Sequence, residues 1–196
     1  MVNNNQYGLK PLAMENLIGV EPAEVLVHGP SKLMIDRYLW HSPAIGIVAS
    51  YTPTEHNVTD HFGIFRGVDQ VEAFAQATIV SCGAFSELKK IESTFAELKQ
   101  NFVPLFISIG QVYFHGYLEV GDVFVSIGHI KYYKFRQMIC DGRIYKAPKH
   151  LDLNEYFRHF NDKRLLHYDL SNDFKLIAEL FDVTGRAIKK ELFKKN

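Results

Sequence analysis

The chain has 196 residues, of which 47% are hydrophobic and 22% charged; that is enough apolar content for the core of one ordinary domain, and composition gives no case for disorder. Lys plus Arg and Asp plus Glu each number 22, a formal net charge of zero, which argues against a nucleic-acid binder working through bulk positive charge. Cys82 and Cys140 are too few for a disulfide scaffold and have no zinc-site spacing. The first residues lack the pattern of a signal peptide, and no run approaches about 18 apolar residues, so a soluble, cytoplasmic protein with no membrane partner is expected.

Residues 1–27 read as an N-terminal arm with one helical turn, and 28–196 as the domain proper. Two strands are expected over 32–40 and 44–51, where β-branched and aromatic residues flank His41-Ser-Pro43. Residues 52–66, with Pro, Asn, Asp and Gly, read as loop. A helix is expected over 68–82, because Val68, Val71, Ala75, Thr78, Ile79 and Cys82 fall on one stripe, with Cys82 a small core residue. Ala73, Ala75 and Ala77 keep that helix thin, which suits close wrapping by a sheet. A more polar helix is expected over 86–100.

Strands follow over 106–109, 112–115 and 123–133, with a turn at Gly121-Asp122. Asp141-Gly142 reads as a hairpin turn and Thr184-Gly185 as the turn between the last two strands, 174–181 and 186–193. The polar, aromatic segment 148–173 interrupts this half as an insertion. The layout is α+β, a sheet curled around one buried helix.

The stretch 60–77 concentrates the chemistry: a loop His61, then Gly67-Val68 at the helix start, then Glu72 and Gln76 one turn apart on one face. A carboxyl on a stripe expected to be buried needs a reason. Here His61-Phe62, Gly67-Val68 and Glu72-Ala-Phe-Ala-Gln-Ala77 resemble the motif of the 3-hydroxyacyl-acyl-carrier-protein dehydratases of the hotdog-fold superfamily. His28-Gly-Pro-Ser-Lys-Leu-Met-Ile-Asp-Arg37 upstream and Val120-Gly121-Asp122 downstream are similar to further family segments in the same order. The loop from His61 to the helix is three residues shorter than is usual there and lacks two prolines.

The resemblance implies a hotdog fold, at least a homodimer (or a trimer of dimers), and dehydration of a 3-hydroxyacyl thioester linked to acyl carrier protein or to coenzyme A, with acyl carrier protein the expected partner. It implies His61 as base and Glu72, from the partner chain, as the group that binds or protonates the hydroxyl. Gly67 and Val68 would receive the thioester, and Gln76 would orient Glu72 or the ligand. The chemistry suits these residue types. A neutral imidazole can take the C2 proton near its own pKa. A carboxyl can donate at neutral pH only if burial raises its pKa, as an apolar helix face would. Free amides at a helix start can receive the charge that develops on the thioester oxygen. No metal or organic cofactor is required.

Blander readings stand beside these. His61 alone reads as a turn residue, Glu72 as part of a structural network, and Gln76 as a packing amide. His56, Asp60 and His61 as a metal site is the weaker reading of a loop cluster. Asp36-Arg37 reads as a structural ion pair, and the basic end 185–196 as edge protection. Two other functions compete: a hotdog thioesterase using Glu72 to activate water, and a non-catalytic acyl-binding subunit.

Overall fold

The computed structural model describes residues 14–193. The first described helix is α1 (Pro22–Val25), followed by a 3-10 turn, Pro30–Lys32. Strands β1 (Arg37–Ser42) and β2 (Gly46–Tyr51) form an antiparallel pair. Next come α2 (Glu55–Val58), β3 (Ile64–Phe65) and a long central helix in three parts: α3 (Gly67–Ala75), a π-helical turn (Gln76–Val80) and α4 (Ser81–Ile91). Helix α5 (Phe95–Asn101) leads into β4 (Phe102–Ser108), β5 (Gln111–Phe114), β6 (Leu118–Glu119), β7 (Phe124–Lys134) and β8 (Gln137–Lys146). Helices α6 (Leu153–Phe157) and α7 (Asp162–Leu166) precede β9 (Lys175–Lys189).

The main sheet runs β1-β2-β7-β8-β9-β4, with β5 also paired to β9, and every pairing is antiparallel. Alternation turns one set of side chains toward the central helix and the other set away. On the inner face Met138, Cys140 and Ile144 of β8 join Phe74, Ala77, Ile79, Cys82 and Phe85 of the helix in one buried core. This is the expected sheet wrapped around a helix. The segment expected as an arm contributes Leu17, Val25 and Leu26 to that core; residues 1–13 of it lie outside the described residues.

Close approach of helix and sheet depends on small residues. Gly128 and Gly142 are cross-strand partners on β7 and β8, and a Cβ on either would run into Thr78 or Phe74 of the helix. Gly185 on β9 faces Ile79 in the same way. The expected turns at Asp141-Gly142 and Thr184-Gly185 are therefore absent. Both glycines sit inside uninterrupted strands, where a missing side chain lets another element come close. The β7–β8 reversal occurs instead at Phe135-Arg136, both with left-handed backbones (φ 54° and 61°). A two-residue hairpin loop demands that twist, usually from Asn or Gly.

The helix expected over 86–100 is two helices. Glu92 (φ 51°) closes α4 in the left-handed region, and Thr94 opens α5 with its side chain accepting from Glu97 N at 3.2 Å. The loop expected over 52–66 contains the short α2 and β3. Of the expected stripe, Ala75, Thr78, Ile79 and Cys82 are buried, but Val68 is 67% exposed because it lies in the first turn, beyond the sheet.

The insertion packs on the outer face of the sheet. Leu153, Phe157, Phe160, Leu165 and Phe174 form a second core with Leu39, Val48, Val125, Ile127 and Tyr145. Each such large side chain, once buried, contributes roughly 1.5–3 kcal/mol of transfer free energy. The segment lies on the side of the sheet away from the central helix.

Candidate active site

Glu72 and Gln76 project from the junction between α3 and the π-helical turn. Gln76 is fully buried and uses both ends of its amide. Its Oε1 accepts from Met34 N (2.9 Å), and its Nε2 donates to Lys32 O (2.8 Å) and to Glu72 Oε1 (2.8 Å). The π-helical turn begins at this residue, and Ser81 N and Oγ both bond the Gln76 carbonyl. One extra residue in the turn re-aims side chains relative to a regular helix, a device common at functional sites. Gln76 thus ties the 32–34 segment to the helix and fixes one oxygen of Glu72.

The second partner of that oxygen is His28, whose Nε2 lies 3.4 Å from Glu72 Oε1. His28 belongs to the upstream segment of the motif, but no spacing rule links residues 44 positions apart. The carboxyl of Glu72 is held below its ordinary pKa, chiefly by His28, with burial opposing and Gln76 assisting. This reverses the expectation of a pKa raised by an apolar face. The Glu72 side chain is 41% exposed, so water and two donors stabilise its charged form. Glu72 and His28 border a pocket whose other walls are apolar: Ala75, Ile79, Val80 and the 104–106 segment of β4.

His61 lies in the tight turn between α2 and β3, where Asp60, Phe62 and Gly63 all have positive φ. The His61 N–H bonds Val58 O, and its carbonyl receives Ile64 N. Its ring Nδ1 is 3.1 Å from Ile64 O. A carbonyl only accepts, so Nδ1 carries the hydrogen and the lone pair resides on Nε2. The turn therefore presents an imidazole with a basic nitrogen in a fixed orientation.

Among the described residues no hydrogen bond or ion pair joins His61 to Glu72 within the chain. Gly67 opens α3, but the space a side chain would fill there is occupied by the Phe114 ring, 2.8 Å from the Cβ position. Asp69 in the first turn is held by Arg66 in a two-pronged pair (2.6 and 2.9 Å). Asp36 accepts from Thr52 Oγ1 (2.9 Å) rather than forming the expected pair with Arg37. No group of three or more His, Cys, Asp or Glu side chains among the described residues is arranged to hold a metal ion. No helix among them is long and apolar enough to cross a membrane.

No family model and no curated protein matches the sequence. Among solved structures, the fold resembles the dehydratase heterocomplex ApeI:P from Xenorhabdus doucetiae, with TM-score 0.60 and 11% identity over 90% of this chain and 99% of that one. Weaker likenesses include a 1,4-dihydroxy-2-naphthoyl-CoA thioesterase from Synechocystis (TM-score 0.45, 12% identity, 74% of this chain and 83% of that one). Another is a hexameric broad-specificity acyl-coenzyme A thioesterase (TM-score 0.45, 9% identity, 79% and 81%). At these identities the comparisons bear on the fold, which is the hotdog fold.

Proposed function

We propose that the protein is a lyase that removes water from a 3-hydroxyacyl thioester. The observation that carries this reading is the pair of prepared groups: a basic His61 Nε2 fixed by its turn, and a Glu72 carboxylate fixed by Gln76 and His28 beside an apolar pocket. In the reaction His61 Nε2 takes the C2 proton, and the thioester oxygen gathers the charge. The first amides of α3, at Gly67 and Val68, favour that charge. Glu72, already ionised, accepts a hydrogen bond from the C3 hydroxyl and orients it. The imidazolium then returns its proton to the leaving oxygen, and water departs as the C2–C3 double bond forms. One residue thus acts as base and then as acid.

In this reading the complete site takes His61 from one protomer and Glu72 from the other, which agrees with the lack of any hydrogen bond or ion pair between them within one chain. The edge formed by β4 and β5 supports pairing of two copies. Phe106, Ile107, Tyr113 and Phe114 are 44–53% exposed there, an apolar edge of the kind that invites a partner strand. Phe114 must then leave Gly67 for a thioester to reach the helix start.

The ionised state of Glu72 also favours a second reading, in which the same carboxylate activates water for thioester hydrolysis. Incubation with a 3-hydroxyacyl thioester separates the two. A lyase raises the ultraviolet absorbance of a conjugated enoyl thioester without releasing thiol; a hydrolase releases thiol and forms no enoyl product.

A further inference from the structure

The apolar wall beside Glu72 continues along the central helix. Ile79, Val80 and Pro104, which border the pocket at Glu72, also line a second pocket with Gly83, Ala84 and Met138. This second pocket has polar residues in its wall. Glu87 is 4% exposed, accepts from Tyr133 Oη at 2.9 Å and lies 3.6 Å from Arg136 Nη1, and all three residues line the pocket. Burial and the adjacent Glu87 push the Tyr133 hydroxyl up, so it remains a donor.

Two features set Arg136 apart from an incidental ion-pair partner. Its Nε is buried and has no hydrogen-bond partner, although the guanidinium rests over the Phe102 ring at 5.3 Å. A buried donor left unmet is costly. Arg136 also occupies the two-residue β7–β8 turn, a tight hairpin that fixes its backbone beside the pocket. The turn therefore carries a donor without an acceptor into the lining of a pocket whose remaining walls are mainly apolar, with Lys99 and Arg186 the other cations.

The geometry points to this pocket as the seat for the distal end of the acyl chain, selecting chains whose tip carries a hydrogen-bonding oxygen. Arg136 Nε–H would donate to that oxygen, and a hydroxyl at the tip could donate in turn to Glu87. A methyl-ended chain would remove water from the same charged pair and return no hydrogen bond. That the occupant is an acyl chain rests on the thioester reading above; the preference for an oxygen at the tip rests on Arg136 and Glu87.

The test compares ligands of equal length that end in a methyl or a hydroxyl group. Binding of the free fatty acid and its terminally hydroxylated counterpart to the full chain is measured by calorimetry, and turnover of the matching 3-hydroxyacyl thioesters is followed in parallel. The hydroxyl-tipped acid is expected to bind about tenfold tighter, equivalent to about 1.4 kcal/mol. Arg136→Met is expected to abolish that preference. Arg136→Ala, which removes every guanidinium donor and opens Glu87 to water, should also abolish it should the methionine variant fail to fold. Equal binding, tighter binding of the methyl-ended acid, binding of neither, or a preference that survives both substitutions overturns the proposal. Turnover of methyl-ended thioesters without a tip preference rejects this pocket assignment and leaves the lyase reading intact. A tip preference in binding with no turnover of any thioester does the reverse.

Discussion

His28 Nε2 stands 3.4 Å from Glu72 Oε1, and this contact is the largest influence holding the Glu72 carboxyl below its ordinary pKa. Removing it should shift where Glu72 titrates. With the largest lowering influence gone in His28→Phe, the Glu72 pKa rises. An NMR titration of the Glu72 carboxyl in both proteins checks this; an unmoved titration means that His28 does not hold the carboxylate.

Gln76 predicts a coupled loss of stability and function. In Gln76→Leu, Met34 N loses its partner in a buried setting, at about 1–3 kcal/mol for a group left unmet, and Lys32 O loses a part-buried one. Glu72 also loses the donor that fixes its orientation. Denaturant unfolding should show a loss of about 1–3 kcal/mol, accompanied by reduced kcat at temperatures where the variant remains folded.

The glycines under the central helix predict a contrast. Gly142→Ala drives a methyl into the Ile127 carbonyl and the Phe74 ring, both buried, and overpacking of this kind costs typically 1–3 kcal/mol. Gly67→Ala meets only the Phe114 ring, which is 49% exposed and can swing aside, so its cost should stay within about 0.5 kcal/mol. Thermal unfolding of the two variants distinguishes them.

These glycines also show how far the sequence was legible. Alternating strands, a thin alanine-rich helix and the insertion were visible as patterns, because burial imposes periodicity locally. Asp141-Gly142 and Thr184-Gly185 misled because a glycine that lets a helix approach has the same letter as a glycine that turns a chain. Phe135-Arg136 went unseen for the converse reason: neither residue type is one that usually supplies a left-handed turn. At the site, the Glu72–Gln76 pair follows from helical spacing, whereas His28 enters through a contact spanning 44 residues that no local rule encodes. The direction of the Glu72 pKa depended on that same partner.

His41 predicts acid sensitivity. It is 5% exposed, its Nδ1 accepts from Leu17 N at 3.1 Å, and burial lowers its pKa to about 4. The folded protein therefore binds fewer protons at this residue than the unfolded chain, whose imidazole titrates near 6.5. Stability is unaffected above that value, falls as pH drops from about 6.5 to 4, and loses of order 3 kcal/mol by the lower limit. His41→Gln should flatten this part of the stability–pH curve relative to the parent.

The lyase reading turns on His61. With a 3-hydroxyacyl thioester as substrate, the protein should generate the conjugated enoyl thioester. His61→Ala should lower that rate by about 10²–10⁴-fold, the usual worth of a positioned acid–base group, while the fold, monitored by circular dichroism, is retained. Thiol release without any enoyl product, at a rate His61→Ala leaves unchanged, would contradict the lyase assignment.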